Sequence, residues 1–302
     1  MNNLYAQKAE LLLRMIPIIS EEGVFAVHGG SAINLFINDM PRYSIDADLT
    51  YVPLEDRKTS IDNINSHLNA ISEKAKKAFR GMHIVHKPDI CKLLCEYRGR
   101  QVKIEVNQTK RGIVGGDTLR LPLCEKAQQE FGLYCEADIV PITLLYGGKV
   151  AAALSRQHPR DLFDVKYMQI PFYEIKEGLL FCLLGSDRPI HESLAPALIN
   201  QQEAMQNQFA GMTVIPFSYE EFEATRKDLI SKVNATLSDT DKRFLIGFEK
   251  AEPDWTAFDY PHFQNYPSVL WKLQNLSKLK SSNPAKLLAE AEKLETVLYA
   301  EH

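Results

Sequence analysis

Asp46 and Asp48 sit in a stretch where Ser44, Asp46, Asp48 and Thr50 alternate with Ile45, Ala47, Leu49 and Tyr51. Period-two alternation marks a half-buried strand, so both carboxylates leave one face with their Cα atoms about 6 to 7 Å apart. That spacing suits convergence on one or two divalent cations, which take oxygen ligands. Side by side, two carboxylates repel unless a cation or hydrogen bonds compensate. A solvent-facing polar strand edge is the plainer account of the pair. Upstream, the apolar run 24–27 leads into His28-Gly29-Gly30-Ser31 and then into the apolar, helix-like 33–37. Backbone N–H groups at a helix start together with a hydroxyl can grip phosphate, although the same residues also make a simple tight turn. Arg42 and Ser44, between the two stretches, are placed to brace the acidic pair or to reach phosphate.

Three later features could complete such a site. In 102–107, Val102, Ile104 and Val106 alternate with Lys103, Glu105 and Asn107, which makes Glu105 a candidate third carboxylate on a second strand. Lys149 lies in Gly147-Gly148-Lys149-Val150-Ala151-Ala152-Ala153. Mid-helix glycines are each about 1 kcal/mol worse than alanine, so this pair implies a close approach by another backbone or by a ligand. Lys149 would meet a triphosphate as a point charge, or else lie on the surface with its stem along the helix. Asp161 and Asp164 are three apart on a helical stretch and Arg160 is four before Asp164, a spacing that surface ion pairs also produce.

The order of these features carries more than any one of them. Gly-Gly-Ser, Asp-x-Asp, a strand Glu, then Lys and Arg-Asp-x-x-Asp on helices resembles the nucleotidyltransferase fold of the DNA polymerase β superfamily. More narrowly, His28-Gly29-Gly30-Ser31-Ala32-Ile33-Asn34-Leu35-Phe36 with Arg42-x-Ser44-x-Asp46-x-Asp48-Leu49, and Lys149-x-x-Ala152 with Arg160-Asp161-Leu162-x-Asp164, resembles the AbiEii/AbiGii toxin family. Those proteins are nucleotidyltransferase toxins of type IV toxin–antitoxin and abortive-infection systems, related to the mycobacterial MenT toxins. The resemblance covers about residues 20–170.

It implies that Asp46 and Asp48 are the metal-binding aspartates and that Gly29, Gly30 and Ser31 form the phosphate-gripping turn. It also implies that Lys149 and Asp161 are the downstream lysine and aspartate of the site. Glu105 as third metal ligand rests on strand alternation, and the connection from Ser31 to Asp46 is longer than the superfamily's usual one. The implied reaction is Mg²⁺-dependent transfer of NMP from an NTP, with two metals, to an acceptor identified by the resemblance as the 3′ end of tRNA. Growth arrest would follow, restrained by an antitoxin encoded alongside. The alternatives are transfer to a protein or to a small molecule such as an antibiotic, and a nucleotide-binding module without turnover.

The elements that must position these residues are legible in outline. The 302 residues are 45% hydrophobic and 25% charged, enough for a sizeable core and two domains. A net charge of -4 means that any RNA partner must be held by a local basic patch. Five scattered cysteines read as reduced thiols of a cytoplasmic protein, and Cys91-x-x-x-Cys95 lacks the partners of a zinc site. Arg14 and Pro17 interrupt 11–19, and no run is long enough to span a bilayer, so neither a leader nor a membrane segment is expected.

The spacing predicts helices over 4–20, 31–38 and 55–79, and strands over 24–27, 44–51, 83–87, 92–97, 102–107, 118–124 and 133–139. Helices are then expected from Pro141, carrying Lys149, and from Pro159. The basic end of the third helix, Lys74, Lys76, Lys77 and Arg80, is a solvated helix terminus or an RNA contact. After about residue 170 strand signals fade, apart from 212–216, and helices are expected over 172–184, 190–209, 218–235 and 238–249. Two closing helices follow the aromatic stretch 253–267. That stretch reads as rings pinning a loop, with nucleotide stacking as its alternative. The expected architecture is α+β: a mixed-sheet nucleotidyltransferase core over 1–170, followed by a helical domain over 171–302, as a monomer.

Overall fold

The computed structural model describes residues 3–300. A seven-stranded mixed sheet is flanked by helices, the class expected from the sequence. The strands are β1 (Phe25–His28), β2 (Asp46–Tyr51), β3 (His83–Lys87), β4 (Lys92–Tyr97), β5 (Arg100–Val106), β6 (Leu119–Pro122) and β7 (Glu136–Ile139). Their order is β3-β4-β5-β2-β1-β7-β6. β2 runs parallel to β5 and β1 to β7, while the other neighbours are antiparallel.

The first helices are α1 (Asn3–Ser20), α2 (Gly29–Ala32), α3 (Arg57–Ala78) and α4 (Glu125–Phe131). α3 starts where Asp56 caps it, accepting from the backbone N–H groups of Lys58 and Thr59 at 2.9 and 3.0 Å. Its buried stripe is Ile64, Leu68, Ile71 and Ala75, as the periodicity predicts. α2 widens into one π turn over Ile33–Ile37. α4 was not expected. Its one clear sequence signal is Gly132, which closes it in the left-handed conformation at φ 60°.

The remaining helices are α5 (Ile142–Arg156), α6 (Pro159–Lys166), α7 (Phe172–Leu184), α8 (Ile190–Leu194), α9 (Gln202–Ala204), α10 (Tyr219–Thr236), α11 (Asp239–Glu249), α12 (Pro267–Ser282) and α13 (Pro284–Tyr299). The helix expected over 190–209 is broken. Ala195 precedes Pro196, which disfavours helical geometry for it, and it takes φ -133°. Side chains then satisfy the irregular backbone: the Gln157 amide donates to Ala197 O at 2.8 Å and accepts from Ile199 N–H at 3.1 Å. Nor does 212–216 form a strand. It is irregular and is held by single bonds, Tyr43 N–H to Met212 O at 2.8 Å and Thr213 Oγ1 to Pro41 O at 2.8 Å.

By its internal contacts the chain forms two compact units, one running through Pro141 with Asn207–Pro216 added, the other comprising Ile142–Gln206 and the chain from Phe217 onward. The sequence places the change of character near residue 170. The contacts group α5 and α6 with the later helices because α5 lies directly against α7. A Cβ on Gly147 would come within 2.3 Å of the Gly178 carbonyl carbon, and one on Gly178 within 2.0 Å of Thr143 O. The close approach that the mid-helix glycine implied is therefore made by another helix backbone.

The aromatic stretch belongs to the second unit, where it packs. Phe258 stacks on Phe244 with centroids 3.6 Å apart, and the buried Phe263 contacts Phe181 edge-on at 5.3 Å. Among the described residues no helix is long and apolar enough to cross a membrane, and all five cysteines are free thiols.

Candidate active site

In the first unit, strand register lines up the charged residues. His28 on β1 is opposite Asp48 on β2, Asp48 is opposite Glu105 on β5, and Glu105 is opposite Lys92 on β4. One pleat away, Asp46 is opposite Lys103, which is opposite Leu94. Directly opposite residues share a face, so these two rows make one charged surface across four strands. Asp48 is exposed and Asp46 half-buried, while Ala47 and Leu49 enter the core.

The Gly29-Gly30-Ser31 turn closes over the end of this surface. Gly29 is left-handed at φ +67°, and a Cβ on it would stand 2.8 Å from Asp48 Oδ2. Only glycine combines that backbone with that proximity. A Cβ on Gly30 would stand 2.6 Å from Arg42 Nη2 and 3.2 Å from Ser44 Oγ. Arg42 is buried and donates through Nη1 to Tyr43 O at 2.8 Å. Ser31 is also buried; its hydroxyl is hydrogen-bonded with Ser44 Oγ at 3.0 Å and donates to Asp46 O. The Ser31 hydroxyl, through Ser44 and Asp46 O, thus ties the turn to the start of β2, Arg42 lies against Gly30, and the Asn34 amide adds a bond to Gly30 O at 2.9 Å.

The long Ser31-to-Asp46 connection is itself anchored. The backbone N–H of Lys126, in α4, donates to Asp39 Oδ1, and its ammonium donates to Met40 O, each at 2.9 Å. Tyr43 donates to Glu130, and 212–213 supply the two bonds already described. α4 and 207–216 are therefore positioning elements that the sequence reading did not assign to the site.

Glu105 lies on the expected face but is occupied. Its Oε2 accepts from Lys92 Nζ at 3.0 Å and from Lys103 Nζ at 3.1 Å. Burial pushes the Glu105 carboxyl up, but the two lysines outweigh it and hold it below the usual carboxylate range. Burial pulls the Lys103 ammonium down, and Asp46, Asp48 and Glu105 together raise it above its ordinary value. Among the described residues no three His, Cys, Asp or Glu side chains are grouped so as to hold a metal ion. Asp46 and Asp48, two hard oxygen donors on one accessible face, are the pair whose chemistry suits a divalent cation. Sequence reasoning missed Lys92 and Lys103. The alternation that singled out Glu105 puts Lys103 on the same face, but pairing with β4 is what adds Lys92.

Lys149 and Asp161 belong to the second unit. Lys149 Nζ contacts Asp161 Oδ1 at 3.0 Å and Asp164 Oδ2 at 2.9 Å. Arg156, at the end of α5, adds a 2.9 Å bond to Asp161 Oδ2. Lys149, Asp161 and Asp164 are all buried. They are neither a surface lysine nor surface ion pairs, because α6 folds back on α5 and shuts them in. Burial pushes the Asp161 carboxyl up, yet Lys149 and Arg156 bring it below its ordinary value, against opposition from Asp164.

Comparison with known proteins bears on both units. Residues 10–275 match the model of a family described as nucleotidyl transferase AbiEii toxin, type IV toxin–antitoxin system. The fold is similar to that of MenT4, a nucleotidyltransferase toxin from Mycobacterium tuberculosis H37Rv, with a TM-score of 0.63 and 13% identity, covering 90% of this chain and 93% of that one. No curated protein matches in sequence.

Proposed function

The chain belongs to the AbiEii family of type IV toxin–antitoxin nucleotidyltransferases, and from that premise we propose that it transfers a nucleoside monophosphate from an NTP to the 3′ end of tRNA. The observation that carries the reading is the seating of the Gly29-Gly30 turn directly against the Asp48 carboxylate. Phosphate-gripping backbone and cation-binding carboxylates then lie within one side chain's reach of each other.

Asp46 and Asp48 would hold one or two magnesium ions, which supply charge neutralisation and polarise the α-phosphate when bound. The acceptor's 3′ hydroxyl gives up its proton to solvent as its oxygen bonds to the α-phosphorus, the bond from that phosphorus to the bridging oxygen breaks, and pyrophosphate leaves. The turn 29–31 orients the triphosphate through backbone N–H groups, while the buried Arg42 and Ser44 keep the turn rigid. The family pattern also names Lys149 and Asp161; Lys149 is buried and paired with Asp161 at 3.0 Å and with Asp164 at 2.9 Å, so on this reading the pair holds α6 on α5. Growth arrest in the cytoplasm, relieved by a cognate antitoxin, is the outcome that the family implies.

The test is incubation of the purified protein with each labelled NTP, Mg²⁺ and total RNA. Label at tRNA 3′ ends is expected, and it should vanish when Asp46 and Asp48 are both replaced by alanine. Failure to transfer any of the four nucleotides, or transfer that survives the double substitution, overturns the reading. Label on a protein band or a small molecule changes the acceptor and keeps the chemistry.

A further inference from the structure

The strand positions that line up Asp46 and Asp48 also bring two lysines and one glutamate to the same face, and the glutamate is already spoken for. We propose that Glu105 is a positioning residue and not a metal ligand: it holds Lys92 and Lys103 beside the aspartate pair, where Lys103 contacts a substrate phosphate. This rests on the nucleotidyltransferase reading of Asp46 and Asp48.

Three observations carry it. First, one oxygen of Glu105, Oε2, takes both ammonium groups at 3.0 and 3.1 Å, so the residue acts as a two-armed clamp. Second, register places Lys103 opposite Asp46 and Glu105 opposite Asp48, so the clamp runs alongside the acidic pair over its whole length. Third, among the described residues no three carboxylate, imidazole or thiol groups are grouped so as to hold a metal. A lysine in the position of Lys103 counters the repulsion of the two aspartates, and it offers hydrogen-bond donors to an anion arriving with its own cation. The basic row runs on to Lys87, opposite Lys92 on the edge strand β3, so positive charge extends from the aspartates toward that edge. The phosphate concerned is the NTP's triphosphate or the phosphodiester of the acceptor strand.

The experiment compares wild type, Glu105→Gln, Lys103→Gln, Lys103→Arg, the Glu105→Gln/Lys103→Gln double variant and Asp48→Asn, all in the full chain. Mn²⁺ affinity is read by electron paramagnetic resonance. Binding of each NTP and of a single-stranded oligoribonucleotide ending in CCA is read by calorimetry. Glu105→Gln should leave Mn²⁺ affinity within about twofold of wild type, while Asp48→Asn weakens it about tenfold or more, the scale of losing a charged ligand or a charge-assisted bond. Glu105→Gln and Lys103→Gln should each weaken phosphate binding about tenfold, the scale of one charge-assisted hydrogen bond, and the double variant should add little.

Lys103→Arg should retain most of the binding, which excludes misfolding as the cause. Loss confined to the NTP assigns the phosphate to the triphosphate, and loss confined to the oligonucleotide assigns it to the acceptor. Either supports the clamp. A Glu105→Gln variant that loses Mn²⁺ as Asp48→Asn does, or a Lys103→Gln variant that binds both ligands normally, overturns it. Wild type that binds no Mn²⁺ overturns the reading of the aspartate pair itself, a result distinct from either.

Discussion

The charged sheet face of the first unit and the ion cluster of the second use the same residue types in different surroundings. On the sheet, Asp48 is exposed and Glu105 is half-open, with two lysines on one oxygen. Between α5 and α6, Lys149 is shut in with Asp161 and Asp164, and Arg156 closes the outer side. Exposed ion pairs contribute about 0 to 1 kcal/mol, so the sheet's charges are inexpensive to rearrange around a ligand. Buried charges are costly to leave unpaired, so the second set is committed to its own geometry. One region can give up contacts to bind, while the other must keep them to stay folded.

This contrast can be broken or sharpened by substitution. The largest expected effect is on turnover. Replacing Asp46 and Asp48 together by asparagine should lower nucleotidyl transfer by roughly 10³-fold or more, since catalysis here is almost entirely positioning and charge stabilisation. Chemical unfolding should show stability within about 1 kcal/mol of wild type, because the accessible pair loses repulsion along with its contacts. A large loss of stability would put the pair in the same class as the buried cluster.

The converse holds for Lys149→Met. It leaves Asp161 and Asp164 buried side by side, and it should destabilise the protein by about 3 to 5 kcal/mol in a urea titration. A change below about 1 kcal/mol would mean that the cluster is far more open to water than its burial indicates.

Glycines offer the same comparison through backbone packing. Gly147→Ala forces α5 and α7 apart, because its Cβ would overlap backbone at 2.3 Å; a loss of about 2 to 3 kcal/mol is expected from overpacking. Gly29→Ala is strained at φ +67° and meets the end of a side chain. It should lose about 1 to 2 kcal/mol in thermal unfolding, with its main effect on nucleotide binding.

The smallest effect is the pH response of the cluster. Asp161 is held below its ordinary value of 3.8 in the folded protein. A carboxylate depressed on folding adds stability that is fully present above its unfolded pKa, and that stability disappears as pH falls through the folded one. The urea midpoint should therefore be insensitive to Asp161 near neutrality and fall progressively below about pH 4. Asp161→Asn should flatten that part of the profile, and an unchanged slope would contradict the assignment.

Much of the site could be read in one dimension because its signals are local. Alternation in 46–51 and 102–106 sets which side chains share a face, whatever the strands pair with; 44–45 lie outside β2, with Ser44 buried and Ile45 not. Gly29 is required by its own left-handed backbone, as a turn glycine before a short helix implies. The glycine ahead of Lys149 correctly announced a close approach, although not which partner makes it. The misreadings fall where a segment depends on distant partners. Residues 212–216 look like a strand but find no ladder, and they are fixed by bonds to Pro41 and Tyr43. The helix expected over 190–209 yields to Pro196 and to side chains of Gln157 and Arg226 that satisfy its freed backbone.

The sequence by itself determined the strand faces, the glycine turn, the proline helix starts and the order of chemical groups, since each depends on backbone sterics and on neighbours a few residues away. Tertiary structure alone decided the environment of each charge. Pairing of β5 with β4 delivered Lys92 to Glu105, and the fold-back of α6 on α5 buried Lys149 with two aspartates. The reason is physical: whether a carboxylate binds a ligand or locks a core depends on the solvent and counter-charges around it, and those come from parts of the chain that sequence separation does not reveal.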